Sequence, residues 1–141
     1  LTSAGLDYVR TGAWIKVGST PQFSGDRPAT GFEAITIAHQ PGRKRWNGGG
    51  SHAVWSVPIV LVRGKTKERF HPTQKPQGLM QLLVGQFTDP GDTILDPFSG
   101  SGTTLIAARM LERRAIGIEL DERHCESVAK RLEQGVFVGV A

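Results

Sequence analysis

Cysteine, tyrosine and long apolar runs are what this 141-residue chain has least of, and each shortage excludes a class of protein. With one thiol, Cys125, the chain closes no internal disulfide, and it has no paired Cys/His spacing of the kind that holds zinc. Cys125 falls on an expected helix, where it reads as a packing residue, and its isolation fits a reducing compartment. No stretch approaches the roughly 18 apolar residues of a membrane span. The N-terminal residues also lack the charged-then-apolar order of a signal peptide. The expectation is a cytoplasmic protein, or one of the host cytosol if viral, with neither metal nor membrane attachment.

What is present describes one modest globular domain over residues 1–141: 38% of the residues are hydrophobic and 21% charged, enough for a small core. The net charge of +4 is unevenly placed. Between Pro41 and Lys75 stand eight basic residues, Arg43, Lys44, Arg45 and Lys75 among them, against the single acid Glu68, a balance of +7. The other nine basic and twelve acidic residues sum to −3. Charge of one sign gathered in one region points to a polyanion partner rather than a diffuse solubility coat.

Along the chain, residues 1–10 read as the tail of a helix, because Leu6 and Val9 share a face. Ala13–Val17 and Glu33–Ala38 are β-prone runs expected to pair antiparallel, and Val54–Val62, broken by Pro58, reads as an extended edge segment. Trp14 and Trp55 are expected to pack in the core or at an edge. Leu79, Met80, Leu82, Leu83 and Phe87 show helical spacing that ends at the turn Pro90-Gly91-Asp92. A strand over Thr93–Leu95, a helix from about Gly102 to Leu111 and a strand over Arg114–Ile118 follow. The last helix starts at Asp121, buries Cys125, Val128, Ala129 and Leu132, and stops at Gly135.

The most informative stretch lies between those two strands. Asp96-Pro97-Phe98-Ser99-Gly100-Ser101-Gly102-Thr103-Thr104 joins an apolar strand to a helix through two glycines one residue apart. Glycine there permits positive φ and close approach of a ligand to the main chain, and the free N–H groups of the next helix face any anion. The second strand runs into Glu119, where an acid can hold a ribose. A bare GxG is a weak signal, equally a tight turn, and Leu105 stands where a GxGxxG fingerprint would place its third glycine. That departure suits a nucleoside cofactor without a pyrophosphate.

These residues resemble the DNA amino-methyltransferases, in the permuted group where a HPTQKP-like segment precedes a DPFSGSGTT-like loop and a strand ending in IGIE. All three stand here in that order, at His71–Pro76, Asp96–Thr104 and Ile116–Glu119, within a likeness running from about Gly12 onward and closest to short phage or prophage enzymes. The resemblance implies an α/β, Rossmann-like fold, S-adenosyl-L-methionine as cofactor, double-stranded DNA as partner, and methylation of adenine N6 or cytosine N4. It implies that Gly100 belongs to the cofactor loop and that the N–H groups near Ser101, Gly102, Thr103 and Thr104 hold the methionine carboxylate with the Thr103 hydroxyl assisting, while Asp96 accepts from the ammonium and Phe98 walls the methionine chain. Thr73, Gln74 and Lys75 would cover the cofactor from the other side. Glu119 would accept from the ribose hydroxyls, with Asp121 near the adenine; Asp121 reads equally as a helix cap.

The basic segment, set within residues 40–70, completes the picture. Arg43, Lys44 and Arg45 would contact phosphates, and Trp46 and Asn47 would reach or stack on bases, in a glycine-rich loop that orders only on DNA. A solvated charged face is the plainer reading of the same residues. One part is missing: the (Asp/Asn/Ser)-Pro-Pro-(Tyr/Trp/Phe) motif that such enzymes use to activate the target amine occurs nowhere, so no catalytic residue is assigned. In the family that motif lies on a strand beside the glycine-loop strand. The fold is therefore expected to be incomplete, its central strands lost, split off or supplied by a second chain. A non-catalytic module that binds S-adenosylmethionine is the alternative.

Overall fold

The computed structural model describes residues 2–42, 44–60 and 74–133. They fall in two compact units, Leu1–Ile59 and Val60–Ala141.

The first unit is a three-stranded sheet. Strand β1 (Asp7–Val17) lies between β2 (Phe32–His39), antiparallel to it, and β3 (Val54–Pro58), parallel to it. The antiparallel pairing of the Ala13 and Glu33 runs is as expected, with Trp14 opposite Glu33 and Gly12 opposite Ile35. The expected N-terminal helix is absent among the described residues, where a 3₁₀ turn, Thr2–Ala4, precedes β1. Pairing outweighs the local i, i+3 pattern there, because β2 extends to His39 and offers ladder partners as far back as Asp7, with a register shift between Tyr8 and Arg10. Strand β3 is the expected edge strand and ends on Pro58, which has no N–H to donate.

Trp14 and Trp55, each 4% exposed, are register neighbours that anchor this sheet, and the Trp14 indole donates to the Val57 carbonyl at 2.8 Å. Gly12 makes room for them. A Cβ at that position would lie 2.6 Å from the Ala53 carbonyl oxygen and 2.7 Å from Cζ3 of Trp55. Gly12→Val is expected to lower the stability of the chain by about 2 kcal/mol through overpacking, read from denaturant unfolding; an unchanged midpoint would mean that β1 and β3 separate more readily than their contact implies.

In the second unit, α1 (Gln77–Phe87) packs on α2 (Thr103–Met110), and α2 crosses between two parallel strands, β4 (Thr93–Asp96) and β5 (Arg114–Gly117). Helix α3 (Glu122–Glu133) follows. The core is Leu79, Val84, Leu105, Ile106, Ala107, Ala108 and Val128. Gly91, at φ 86°, forms the turn before β4, and its N–H donates to the Glu112 carbonyl at 2.8 Å. Arg113 fastens the end of α1, its Nε donating to Thr88 Oγ1 at 3.1 Å and Nη2 to the Thr88 carbonyl at 2.6 Å. Helix α3 departs from its expected buried face: Cys125 and Ala129 are exposed, and of its residues Val128 alone is buried. Its amphipathic stripe is narrow because α3 meets the glycine turn rather than a broad core. The expected stop at Gly135 lies outside the described residues.

Among the described residues the five strands form two separate sheets, β2-β1-β3 and β4-β5. Apolar side chains of the shorter sheet are left open, Leu95 at 60% and Ile116 at 55% exposure. No helix among the described residues is long and apolar enough to cross a membrane.

Candidate functional site

The site is built at the C-terminal end of β4. Asp96 closes the strand, and its Oδ1 accepts the Phe98 N–H at 3.1 Å. Ser99 then donates to the Ile118 carbonyl at 2.9 Å, which continues the β4-β5 ladder past its last regular pair. Gly100, at φ 50°, enters a turn closed by the Gly102 N–H on the Ser99 carbonyl at 2.7 Å. Gly102 is left-handed, φ 72°, and is the N-cap of α2, which no side chain caps. The first-turn amides of α2 therefore keep their capacity to meet a ligand anion, at the positive end of the helix dipole. Ser101 and Thr103 are buried and share a hydrogen bond between hydroxyls at 3.0 Å.

A pocket of about 180 Å³ opens in front of this turn. Gln74, Lys75, Asp96, Phe98, Gly100, Ser101, Thr103 and Thr104, all assigned to a cofactor in the sequence, line it together with Met80 and Ser99. Met80 shows in the sequence only as one apolar residue of a helical stripe; nothing local marks it as facing a site. Phe98 is 88% exposed and stands open at the rim. Thr73 lies outside the described residues. No cluster of metal-ligating side chains occurs among the described residues.

Gly102 does not line the pocket; its missing side chain is required from behind. A Cβ there would fall 2.5 and 2.8 Å from the two γ-methyls of Val128, so α3 sits where a side chain would be. Arg131, one turn further along α3, donates through Nη1 to the Ser101 carbonyl. Gly117 has a similar part on the other flank, where a Cβ would meet Leu105 Cδ1 at 2.6 Å and Ser99 at 3.1 Å.

Glu119 follows β5 and reaches back to the turn. Its Oε2 accepts the Gly100 N–H at 2.7 Å, and Oε1 accepts the N–H groups of Leu120 at 2.9 Å and Asp121 at 3.0 Å. The N–H of Asp121, then those of Gly100 and Leu120, hold this carboxyl below its ordinary value. Asp121 is the cap of α3: its Oδ1 accepts the Arg123 N–H at 3.0 Å, and its carboxylate pairs with the Arg123 guanidinium at 2.8 Å. The Arg123 side chain, then its backbone N–H, brings Asp121 to about 2.

Of the basic stretch, residues 41–59 belong to the first unit. Because β2 and β3 flank β1, residues 40–53 carry the chain from one edge of the sheet to the other, and Lys44, Arg45, Trp46 and Asn47 ride on that crossover. Arg43 lies outside the described residues. The triglycine is folded back against Trp46 and Ser51. The Trp46 indole donates to the Gly49 carbonyl at 2.7 Å and covers Gly48, where a Cβ would lie 2.2 Å from its Cζ2. Ser51 closes the turn with two hydrogen bonds to the Gly48 carbonyl, from Oγ at 2.7 Å and from its N–H at 3.1 Å.

A parallel βαβ unit with a glycine turn at the strand's carboxyl end and an acid after the next strand has the α/β arrangement of nucleotide-binding folds. The chain belongs to the DNA methylase family N6_N4_Mtase, whose model matches residues 5–131. It is 44% identical over 81 residues, 57% of this chain, to the type II methyltransferase M2.MboI of Moraxella bovis. It is 28% identical over 141 aligned positions, 86% of this chain, to the type II methyltransferase M.HinfI of Haemophilus influenzae. It spans 29% and 38% of the lengths of those two relatives. The crystal structure of the M1.HpyAVI-SAM complex superposes with a TM-score of 0.78 at 31% identity, covering 93% of this chain and 65% of that one.

Proposed function

We propose that this chain forms the cofactor-binding part of a DNA amino-methyltransferase, one that moves a methyl group from S-adenosylmethionine to adenine N6 or cytosine N4. The observation that carries this reading is the uncapped first turn of α2, opening on a pocket whose rim holds Lys75 and Asp96, with Glu119 tied to the same turn. Each end of an amino-acid nucleoside finds a complement there. The amides of Thr103 and Thr104, with Lys75, would hold the carboxylate; Asp96, with its second oxygen, the ammonium; Glu119 the ribose hydroxyls. Bound, the cofactor supplies an electrophilic sulfonium methyl. The likeness to type II methyltransferases and to a relative captured with SAM supports the same assignment.

Activation of the target amine needs the Pro-Pro-aromatic motif, which the present residues do not contain. We assign it to a further methyltransferase segment, in the same polypeptide or another, that adds strands to the open β4-β5 sheet and covers Leu95 and Ile116. The test combines this chain with the motif-bearing part of a relative and follows labelled methyl transfer into unmethylated DNA. Transfer that needs both parts supports the reading. Cofactor binding with no transfer in the combined sample would leave a non-catalytic S-adenosylmethionine module instead.

The crossover loop is assigned to DNA, Arg43, Lys44 and Arg45 to phosphates, and Trp46 and Asn47 to bases. Replacing Lys44 and Arg45 with alanine is expected to reduce the slope of log affinity against log salt by about 2, since each phosphate contact contributes roughly 0.9. Fluorescence anisotropy on duplex DNA between low and moderate salt reads that slope. An unaltered slope would return both residues to ordinary solvated surface.

A further inference from the structure

Resting on the cofactor reading above, we infer that Arg131 is a positioning residue: by holding the Ser101 carbonyl it sets the direction of the α2 amides that meet the cofactor's carboxylate. The peptide between Ser101 and Gly102 is gripped at both ends, its oxygen accepting from Arg131 and its N–H donating to the Ser99 carbonyl at 2.7 Å. A grip is needed there. Gly100 and Gly102 both sit at positive φ, 50° and 72°, and glycine rotates about its backbone at low cost, so the turn alone does not fix its peptide planes. The next residue is Thr103, the first of α2, and any rotation of the Ser101-Gly102 peptide would re-aim the helix N-terminus.

Helix α3 is shaped for this task. Val128 and Arg131 are three residues apart and share one face; Val128 fills the space behind Gly102 while Arg131 reaches the carbonyl beside it. Burial pushes the Arg131 guanidinium below its ordinary value, as expected of a cation removed from water. A half-buried arginine is a costly way to fill space, whereas a charge-assisted bond to a backbone oxygen in such surroundings is directional.

Two ligands separate positioning from mere packing. S-adenosylhomocysteine carries the amino-acid carboxylate; 5′-methylthioadenosine carries the same nucleoside without it. By calorimetry, Arg131→Met is expected to weaken the first by about tenfold and to leave the second within about twofold, with Arg131→Lys recovering part of the loss. Equal losses on both ligands, or none on either, would overturn the inference. Hydrogen exchange on the ligand-free protein gives a second arm: the Gly102 amide should exchange faster in Arg131→Met while amides of α1 are unchanged, and an unchanged Gly102 amide would also overturn it. If the parent chain binds neither ligand, the cofactor reading falls, and the exchange arm alone still decides whether Arg131 holds the turn.

Discussion

Gly102→Val is expected to lose about 3 kcal/mol of stability, a sum of overpacking and left-handed strain. The new Cβ would lie 2.5 Å from Val128 Cγ1, well inside contact distance, on a backbone whose φ of 72° disfavours any β-branched residue. The sequence suggests that this glycine is kept small for the cofactor; the structure places the crowding on the opposite side, against α3. Val128→Ala separates the two contributions. In the double variant the steric part should shrink and the strain remain, so that the pair costs less than the sum of the single changes. Chemical denaturation measures all three chains, and additive losses would show that Val128 is not what the new side chain meets.

The second large effect is expected at Glu119. Its carboxylate holds three amides, those of Gly100, Leu120 and Asp121, and is the assigned acceptor for the ribose hydroxyls. Glu119→Ala removes the clasp and the acceptor together, and cofactor affinity should fall roughly thirtyfold or more. Its pH behaviour follows from the direction of its shift. The Asp121, Gly100 and Leu120 amides hold the folded-state carboxyl below its reference of 4.5, so its contribution is complete above that value and is lost as pH falls through the lower folded value. Affinity should therefore be level, so far as this group is concerned, from neutral pH down past 4.5, and decline only as pH falls through that lower folded value. Glu119→Gln, which has no carboxylate to titrate, should start weaker and lack that acid decline. Calorimetry over this range checks both, and a glutamine variant as tight as the parent would remove Glu119 from the site.

What could be read in advance followed the range of the interactions involved. The β4, glycine turn, α2 and β5 unit was legible because its signals are local: an apolar run, glycines where φ must be positive, a helix, an acid after the next strand. The start of β1 was not. Residues 7–10 become strand only because β2 reaches back to His39, a pairing across some thirty positions that leaves no mark in a ten-residue window. The same limit hid Met80 in the pocket wall and Arg131 behind the turn, since each acts on a segment more than fifteen residues away. Cys125 misled because helical periodicity reports which residues share a face, not how wide the neighbour covering that face is. Trp46 was legible as an aromatic among cations, yet its hold on Gly48 and Gly49 depends on a fold-back within the loop that composition does not announce.

Residues 44–52, in the span that links β2 to β3, lie outside the ladder of β1, which takes the chain up again where the Ala13 N–H donates to the Ala53 carbonyl, and this has a bearing on how such proteins diversify. Insertions or exchanges in that span change reach and charge without shifting a single rung between β1 and its neighbours. With the DNA role proposed for this loop, target preference can drift on a timescale of its own, while the tryptophan-anchored ladder stays as it was.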